Sequence, residues 1–222
     1  MVICAKDLMK TYELGGQTVR ALDHVDLDVH AGDMLAITGS SGSGKSTLMN
    51  ILGCLDRPDA GEYLIDGENV ATLSNDRLAE IRNRYIGFVF QNFNLLPRMS
   101  AVENVALPLL YAGRKDANER AEEALKTVGL GDRMHHEPNQ LSGGQRQRVA
   151  IARGIVGKPA ILLADEPTGN LDSRTGKEIL ELFGELNKQG RTIVMVTHDR
   201  EIAQFCPKEV NMKDGRISER RG

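Results

Sequence analysis

Apolar and polar residues alternate without a break from Val25 to His30, with Val25, Leu27 and Val29 against Asp26, Asp28 and His30. A period of two predicts a strand with one covered face, and strands are expected over residues 3–8 and 19–29. The run 34–38 is continuously apolar and ends at Gly39, the pattern of a parallel strand buried on both faces. A helical pattern follows from Lys45 to about Leu52. Further apolar runs predict strands at 86–90, 161–164 and 192–196. Between the last two, Ile179, Leu182, Phe183 and Leu186 share one helical face. Strands alternating with helices predict an α/β fold with a largely parallel sheet, beside which the early antiparallel segments would pack. From 92 to 158 strand signals are sparse. Ala117, Ala121, Ala124, Leu125 and Val128 have helical spacing there, and Asp116 with Glu119 predicts an N-terminal cap. The expected organisation is one domain over 1–222, with a core of 1–91 and 159–222 and a helical subdomain, 92–158, inserted in it.

The turn after the first buried strand carries the first chemistry. Gly39-Ser40-Ser41-Gly42-Ser43-Gly44-Lys45-Ser46 fits G-x-x-x-x-G-K-[ST]. Glycines let the backbone curl so that its N–H groups face phosphate oxygens, and the helix that follows adds its positive end. Lys45 would reach the outer phosphates, Ser46 would offer its hydroxyl to Mg²⁺, and Thr47 adds a second hydroxyl. The loop predicts a nucleoside triphosphate without choosing between kinase, GTPase and ATPase.

A second apolar run ends in two acids, Asp165 and Glu166. Ligands of parallel sheets sit at the carboxyl ends of strands. Asp165 is therefore expected to hold Mg²⁺, and Glu166 to orient or deprotonate an attacking water.

Composition narrows the class. The chain has 222 residues, 41% of them hydrophobic and 27% charged, with a net charge of −3. That excludes disorder and collagen, and the mild acidity gives no support to a broad nucleic-acid face. The three cysteines, Cys4, Cys54 and Cys206, lack metal-ligand spacing and read as free thiols in a reducing compartment. No apolar run approaches a membrane span, and Lys6, Asp7 and Lys10 come too early for a signal peptide. A soluble, cytosolic chain is expected, brought to a membrane only by a partner.

Leu141-Ser142-Gly143-Gly144-Gln145 stands ahead of an Arg/Ala-rich helix, as a second anion site made of a hydroxyl and glycine amides. This segment resembles the signature of ATP-binding cassette (ABC) ATPases, in the expected order between the phosphate loop and Asp165. Other positions fit the same family: Gln91 resembles its Q-loop glutamine, Asn170-Leu171-Asp172 its D-loop, His198 its switch histidine, and Tyr12 the aromatic that stacks on adenine. The resemblance implies a P-loop NTPase core with an N-terminal antiparallel β subdomain and an inserted α-helical signature subdomain. It implies an Mg-dependent ATPase in which Lys45, Gln91 and His198 act in cis and Gln91 joins Ser46 and Asp165 at the metal. It also implies a homodimer with ATP, each site completed in trans by Ser142, Gly143, Gly144, Gln145 and Asp172 of the second copy. The partner implied is an integral membrane permease on the cytoplasmic face of the inner membrane, with no nucleic acid.

The stretches SGKSTLMNILGCLD, Leu107-Pro108-Leu109, Pro138-Asn139-Gln140 and ADEPTGNLD are similar to the macrolide-efflux and lipoprotein-release branch (MacB-type and LolD-type). That implies export, lipoprotein release or mechanical work on envelope cargo. The cell-division (FtsE-type) ATPases are close, and a soluble non-transport ABC ATPase is the alternative. Chromosome-maintenance arms would not fit in the short stretch between Gln91 and Leu141. Phe90, Phe93, Leu95 and Leu96 could line a groove for a partner helix, or simply pack in the core. Gly154 stands where relatives have alanine, and should loosen its helix by about 1 kcal/mol. His135-His136 read as a solvated loop, and Arg146/Arg148 and Arg220/Arg221 as solvated charge.

Overall fold

The computed structural model describes residues 1–222, with Leu14 by its backbone alone. Strands β1 (Ile3–Leu14), β2 (Gln17–Val29), β4 (Ala60–Ile65) and β5 (Glu68–Asn69) form an antiparallel sheet in the order β2-β1-β4-β5. Strands β3 (Met34–Gly39), β6 (Ile86–Phe90), β7 (Ile161–Asp165), β8 (Thr192–Val196), β9 (Lys208–Lys213) and β10 (Arg216–Arg221) form the second, ordered β10-β9-β3-β8-β7-β6. All pairings in it are parallel except β10 with β9.

Strands β3, β7 and β8 are buried on both faces, and the alternation of their residues shows it. Leu35, Ile37, Ile161, Leu163, Val194 and Val196 join the core shared with the antiparallel sheet and α1 (Lys45–Leu52). Ala36, Leu162, Ala164, Ile193 and Met195 join the core on the opposite face. There they meet α5 (Gly143–Ile155) and α6 (Ser173–Lys188). Both faces being covered, the strands read as unbroken apolar runs. Helix α1 touches β2 on one side and β3 and β8 on the other, so it lies between the two sheets.

Between β6 and β7 the chain is helical, as expected. Helices α3 (Ala101–Tyr111) and α4 (Ala117–Thr127) pack on each other and on α5. The cap expected at Asp116 is absent. Its carboxylate is bridged by Arg114 at 2.9 Å and Arg120 at 2.7 Å, and makes no cap hydrogen bond. Those guanidinium bonds hold its carboxyl well below the usual range. A forked cation has replaced a backbone N–H as the partner.

No hydrophobic pattern announced α2 (Asn75–Tyr85), the strands β4, β5, β9 and β10, or α7 (Arg200–Phe205). Helix α2 buries only Leu78 and Ile81, too few for a periodic signal. Pro108 lies inside α3, where a helix is usually broken. Among the described residues no helix is long and apolar enough to cross a membrane.

Candidate active site

The register of the parallel sheet assembles the site. Ile37 of β3 pairs with Val196 of β8, Val196 with Asp165 of β7, and Asp165 with Phe90 of β6. The residues that follow therefore leave the sheet along one edge: the loop from Gly39, Thr197-His198, Glu166 and Gln91. Four segments far apart in sequence meet because four buried strands end in step.

Lys45 Nζ donates to the Gly39 and Ser40 carbonyls at 2.8 and 2.9 Å. Gly44 precedes α1 with φ 102°, and a Cβ there would strike the Ala21 carbonyl. Only glycine fits that turn. The N-terminus of α1 has no side-chain cap and no acid in its first turn, so the N–H groups of Lys45, Ser46 and Thr47 lack an intrahelical acceptor. Ser43 Oγ is buried without a partner beside them. An anion fits this cradle.

Glu166 stands in the left-handed region, φ 43°, which is costly for a residue with a Cβ. Its N–H donates to the Val196 carbonyl at 2.9 Å. Its Oε2 accepts from the Thr197 hydroxyl at 2.9 Å, and its Oε1 from the His198 N–H at 2.9 Å. His198 Nδ1 lies 2.5 Å from the same Oε1. The Glu166 side chain is 15% exposed and that of His198 74%, so the carboxylate is sheltered while the ring that contacts it stands mostly in solvent. Burial pushes the Asp165 carboxyl up, with Glu166 adding to it and Lys45 opposing. A cation in front of Asp165 would relieve that cost. Asp165, the Ser46 hydroxyl and the Gln91 side-chain carbonyl are all oxygen donors, the set that Mg²⁺ takes together with phosphates and water.

The sequence did not reveal the contacts that hold these residues. Asn170 Nδ2 donates to the Gln91 carbonyl at 3.0 Å and to Asn92 Oδ1 at 2.9 Å. Gln91 Nε2 reaches Asn170 Oδ1 at 3.5 Å. Phe93 and Asn94 follow with φ 61° and 49°. The Arg153 guanidinium straps this turn, donating to the Phe93 carbonyl at 2.8 Å and to that of Asn94 at 2.5 Å. Gln147 donates to the Pro167 carbonyl at 2.7 Å and so ties α5 to the turn after Glu166. No local pattern marks these contacts, which join residues far apart in the chain.

The signature segment forms the start of α5. Ser142 Oγ accepts from the Gln145 N–H at 3.3 Å, and Gln145 Oε1 from the Ser142 N–H at 2.9 Å, a reciprocal cap. Asp172 caps α6 through the Thr175 N–H at 3.0 Å and hydroxyl at 2.7 Å, which hold its carboxyl below the usual range. The two helix starts touch, since a Cβ on Gly144 would collide with the Thr175 side chain. Among the described residues no hydrogen bond joins the signature segment to the phosphate loop. Within one chain the structure brings Gln91, Asp165, Glu166 and His198 to the loop's edge, and leaves Ser142 to Gln145 and Asp172 as a separate cluster in which Ser142 and Asp172 are exposed and Gly144 is buried.

Tyr12 lies in β1, and its hydroxyl donates to Asp56 Oδ2 at 2.7 Å. Beside the site an apolar groove of about 850 Å³ opens between β6, α2, α3 and α5, lined by Phe88, Phe90, Leu107, Pro108, Tyr111 and Arg153 among others. Of the four residues expected there, Phe90 alone lines it. Phe93 lies under the Arg146 guanidinium, Leu95 packs against the core, and Leu96 is exposed. Of the arginines expected to be solvated, Arg220 and Arg221 are exposed, whereas Arg146 and Arg148 are half-buried. Arg146 stacks on Phe93 with its Nε buried, and Arg148 donates to the Val128 carbonyl at 3.1 Å. Arg221 donates to the Ala203 and Cys206 carbonyls at 2.7 and 3.0 Å, and Arg220 to that of Asp26 at 2.8 Å. Cys54 and Cys206 are buried free thiols, and burial pushes them up to about 11 and about 12.

Comparison with known proteins agrees with this geometry. Residues 22–169 match the family described as ABC transporter. An uncharacterised ABC transporter ATP-binding protein of Thermotoga maritima is 57% identical over 220 residues, covering 97% of this chain and 94% of its own. A macrolide export ATP-binding/permease protein, MacB of Syntrophobacter fumaroxidans, is 54% identical over 98% of this chain, which spans 31% of that protein. Among solved structures, the dimeric bacterial ABC transporter cassette MJ0796 has a TM-score of 0.90 at 46% identity, over 99% of this chain and 97% of its own. A second structure of that cassette, a dimeric post-hydrolysis state bound to ADP and Pi, matches equally. The chain belongs to the ABC transporter family, and is one of its ATP-hydrolysing cassettes.

Proposed function

We propose that two copies of this chain close around two MgATP and, by closing and reopening, drive a membrane-embedded partner. The observation that carries the reading is the common edge at which the phosphate loop, Gln91, Asp165-Glu166 and His198 leave the parallel sheet in register. The uncapped start of α1 would take the β- and γ-phosphates, with Lys45 turning from the Gly39 and Ser40 carbonyls to reach them. Mg²⁺, held by Ser46, Asp165 and Gln91, would offset phosphate charge. Gln91 would first have to leave Asn170. Glu166 would accept a proton from the attacking water, and His198 and Thr197 would hold its carboxylate in place. Tyr12 would stack on the base.

Ser142, Gly143, Gly144, Gln145 and Asp172 cluster away from the loop of their own chain, which supports a role in trans. The dimeric arrangement of the MJ0796 cassette supports it too. With γ-phosphate present the closed dimer is favoured, and hydrolysis removes the bridging group. Residues 92–158 would be the helical subdomain that carries the signature against a core of 1–91 and 159–222.

The apolar groove would receive a short helix of the membrane partner, which would hold the cassette on the cytoplasmic face of the inner membrane. Its aromatic floor, where Phe88 and Phe90 stack at 5.5 Å, and the 85% exposed Tyr111 at its rim support a protein occupant. The MacB relative, one chain with both ATP-binding and permease parts, supports a permease of that branch. Copurification of the tagged chain from its native cells in mild detergent tests this. A stoichiometric integral membrane protein is the expected result. Recovery with soluble partners only, from a preparation that still hydrolyses ATP, would overturn the transport reading.

A further inference from the structure

We propose that Asp56 is a positioning residue for the nucleotide base: its carboxylate fixes the ring of Tyr12 and thereby sets affinity for the base-bearing nucleotide. The inference rests on the reading of Tyr12 as the residue that stacks on the base.

The two oxygens of Asp56 have separate tasks. Oδ2 accepts the Tyr12 hydroxyl at 2.7 Å. Oδ1 accepts Lys10 Nζ at 3.0 Å and the Arg57 N–H at 2.7 Å. Burial works against its charge, but the bonds from Tyr12, Arg57 and Lys10 outweigh it and hold the carboxyl below the usual range. Burial and Asp56 together push the Tyr12 phenol up. The pair therefore stays a neutral donor on a charged acceptor, a strong class of hydrogen bond.

Asp56 is itself anchored to the helix that starts at the phosphate loop. The N–H groups of Leu55 and Asp56 both donate to the Asn50 carbonyl in α1, at 2.8 and 3.2 Å. Cys54 makes the turn with φ 52°. Thr47, in the first turn of α1, lies beside the same phenol. Lys10 lies over the Tyr12 ring, 5.4 Å from its centroid, and also bonds the Arg57 carbonyl at 2.7 Å and Asp59 at 3.4 Å. One ring face is thus occupied, and the stacking reading requires the other for the base. The ring is attached at two points, by its own strand and by the end of α1. The base platform and the phosphate cradle then share one rigid element, and the ordering of the ring is completed in folding rather than in binding.

The test compares ATP with inorganic tripolyphosphate, which has the phosphates and no base. Binding of both is measured on the full chain, with KM and kcat for ATP. Asp56→Ala and Tyr12→Phe should each weaken ATP by about threefold to tenfold, the worth of ordering one side chain, and leave tripolyphosphate unchanged. For Asp56→Ala the loss should fall on KM and not on kcat. Asp56→Asn, which keeps an acceptor for the phenol, should be intermediate. The double variant Asp56→Ala/Tyr12→Phe should be no weaker than either single one. Equal weakening of ATP and tripolyphosphate by both Asp56 variants would mean a general structural role and overturn the proposal. So would unchanged ATP binding in Asp56→Ala and Tyr12→Phe when Tyr12→Ala loses it. If Tyr12→Ala itself binds ATP normally, the stacking reading fails, and the inference with it.

Discussion

Glu166 shows what a single residue contributes and what its neighbours must provide. Its backbone sits at φ 43°, and the Thr197 hydroxyl, the His198 backbone N–H and the His198 ring fix its carboxylate. Strain of this kind persists only where the surroundings over-determine it. Glu166→Gln keeps the shape and removes the base, so ATP binding should persist while turnover falls by about 10²–10⁴-fold. Steady-state phosphate release with a parallel binding measurement checks this, and normal turnover would remove Glu166 from its role. The acids and the lysine were legible from their motifs, and the histidine through the resemblance to the family. The contacts that Asn170, Arg153 and Thr197 make were not. Their partners are Gln91, the Phe93-Asn94 turn and Glu166, 79, 60 or 59, and 31 residues away, and only the folded sheet brings those segments together.

At the scale of elements, helix α5 and strand β6 explain a residue that the sequence misrepresented. By helix propensity alone Gly154 is a weakness in α5. In the structure it is where α5 lies against β6. A Cβ on Gly87 would collide with the Gly154 carbonyl, and one on Gly154 would meet Leu162 Cδ1 at 2.8 Å and the Phe88 carbonyl at 3.2 Å. Gly154→Ala should therefore not return the roughly 1 kcal/mol that propensity promises. Gly87→Ala should cost about 1–3 kcal/mol or more, because backbone must move. Urea unfolding midpoints of the two variants decide it, and a stabilised Gly154→Ala would refute the close approach. Strands buried on both faces were readable as apolar runs. Helix α2, with two buried residues, and α3, with its internal proline, carried no such signal.

For the whole molecule, the two separated halves of the candidate site are the main fact. The alternation of strands and helices foretold the parallel sheet, and the sparse strand signal foretold the helices between β6 and β7. Nothing in the sequence foretold that α1 lies between two sheets, because β4 and β9 carry too many polar residues to register as apolar runs. The groove beside β6 was expected from apolar bulk after Gln91. Its actual floor is Phe88 and Phe90, because alternate strand residues share a face. Phe93 and Leu95, beyond the strand's end, turn inward to Arg146 and the core.

The central claim is that one chain's phosphate loop needs another chain's Ser142. The most direct test is the mass in solution of Glu166→Gln, by light scattering on a sizing column. It should run near the 24.4 kDa of one chain without nucleotide and at twice that mass with MgATP. Adding Ser142→Arg should leave ATP binding intact and abolish the shift. A dimer that survives Ser142→Arg, or a Glu166→Gln chain that binds ATP and stays monomeric, would contradict the account.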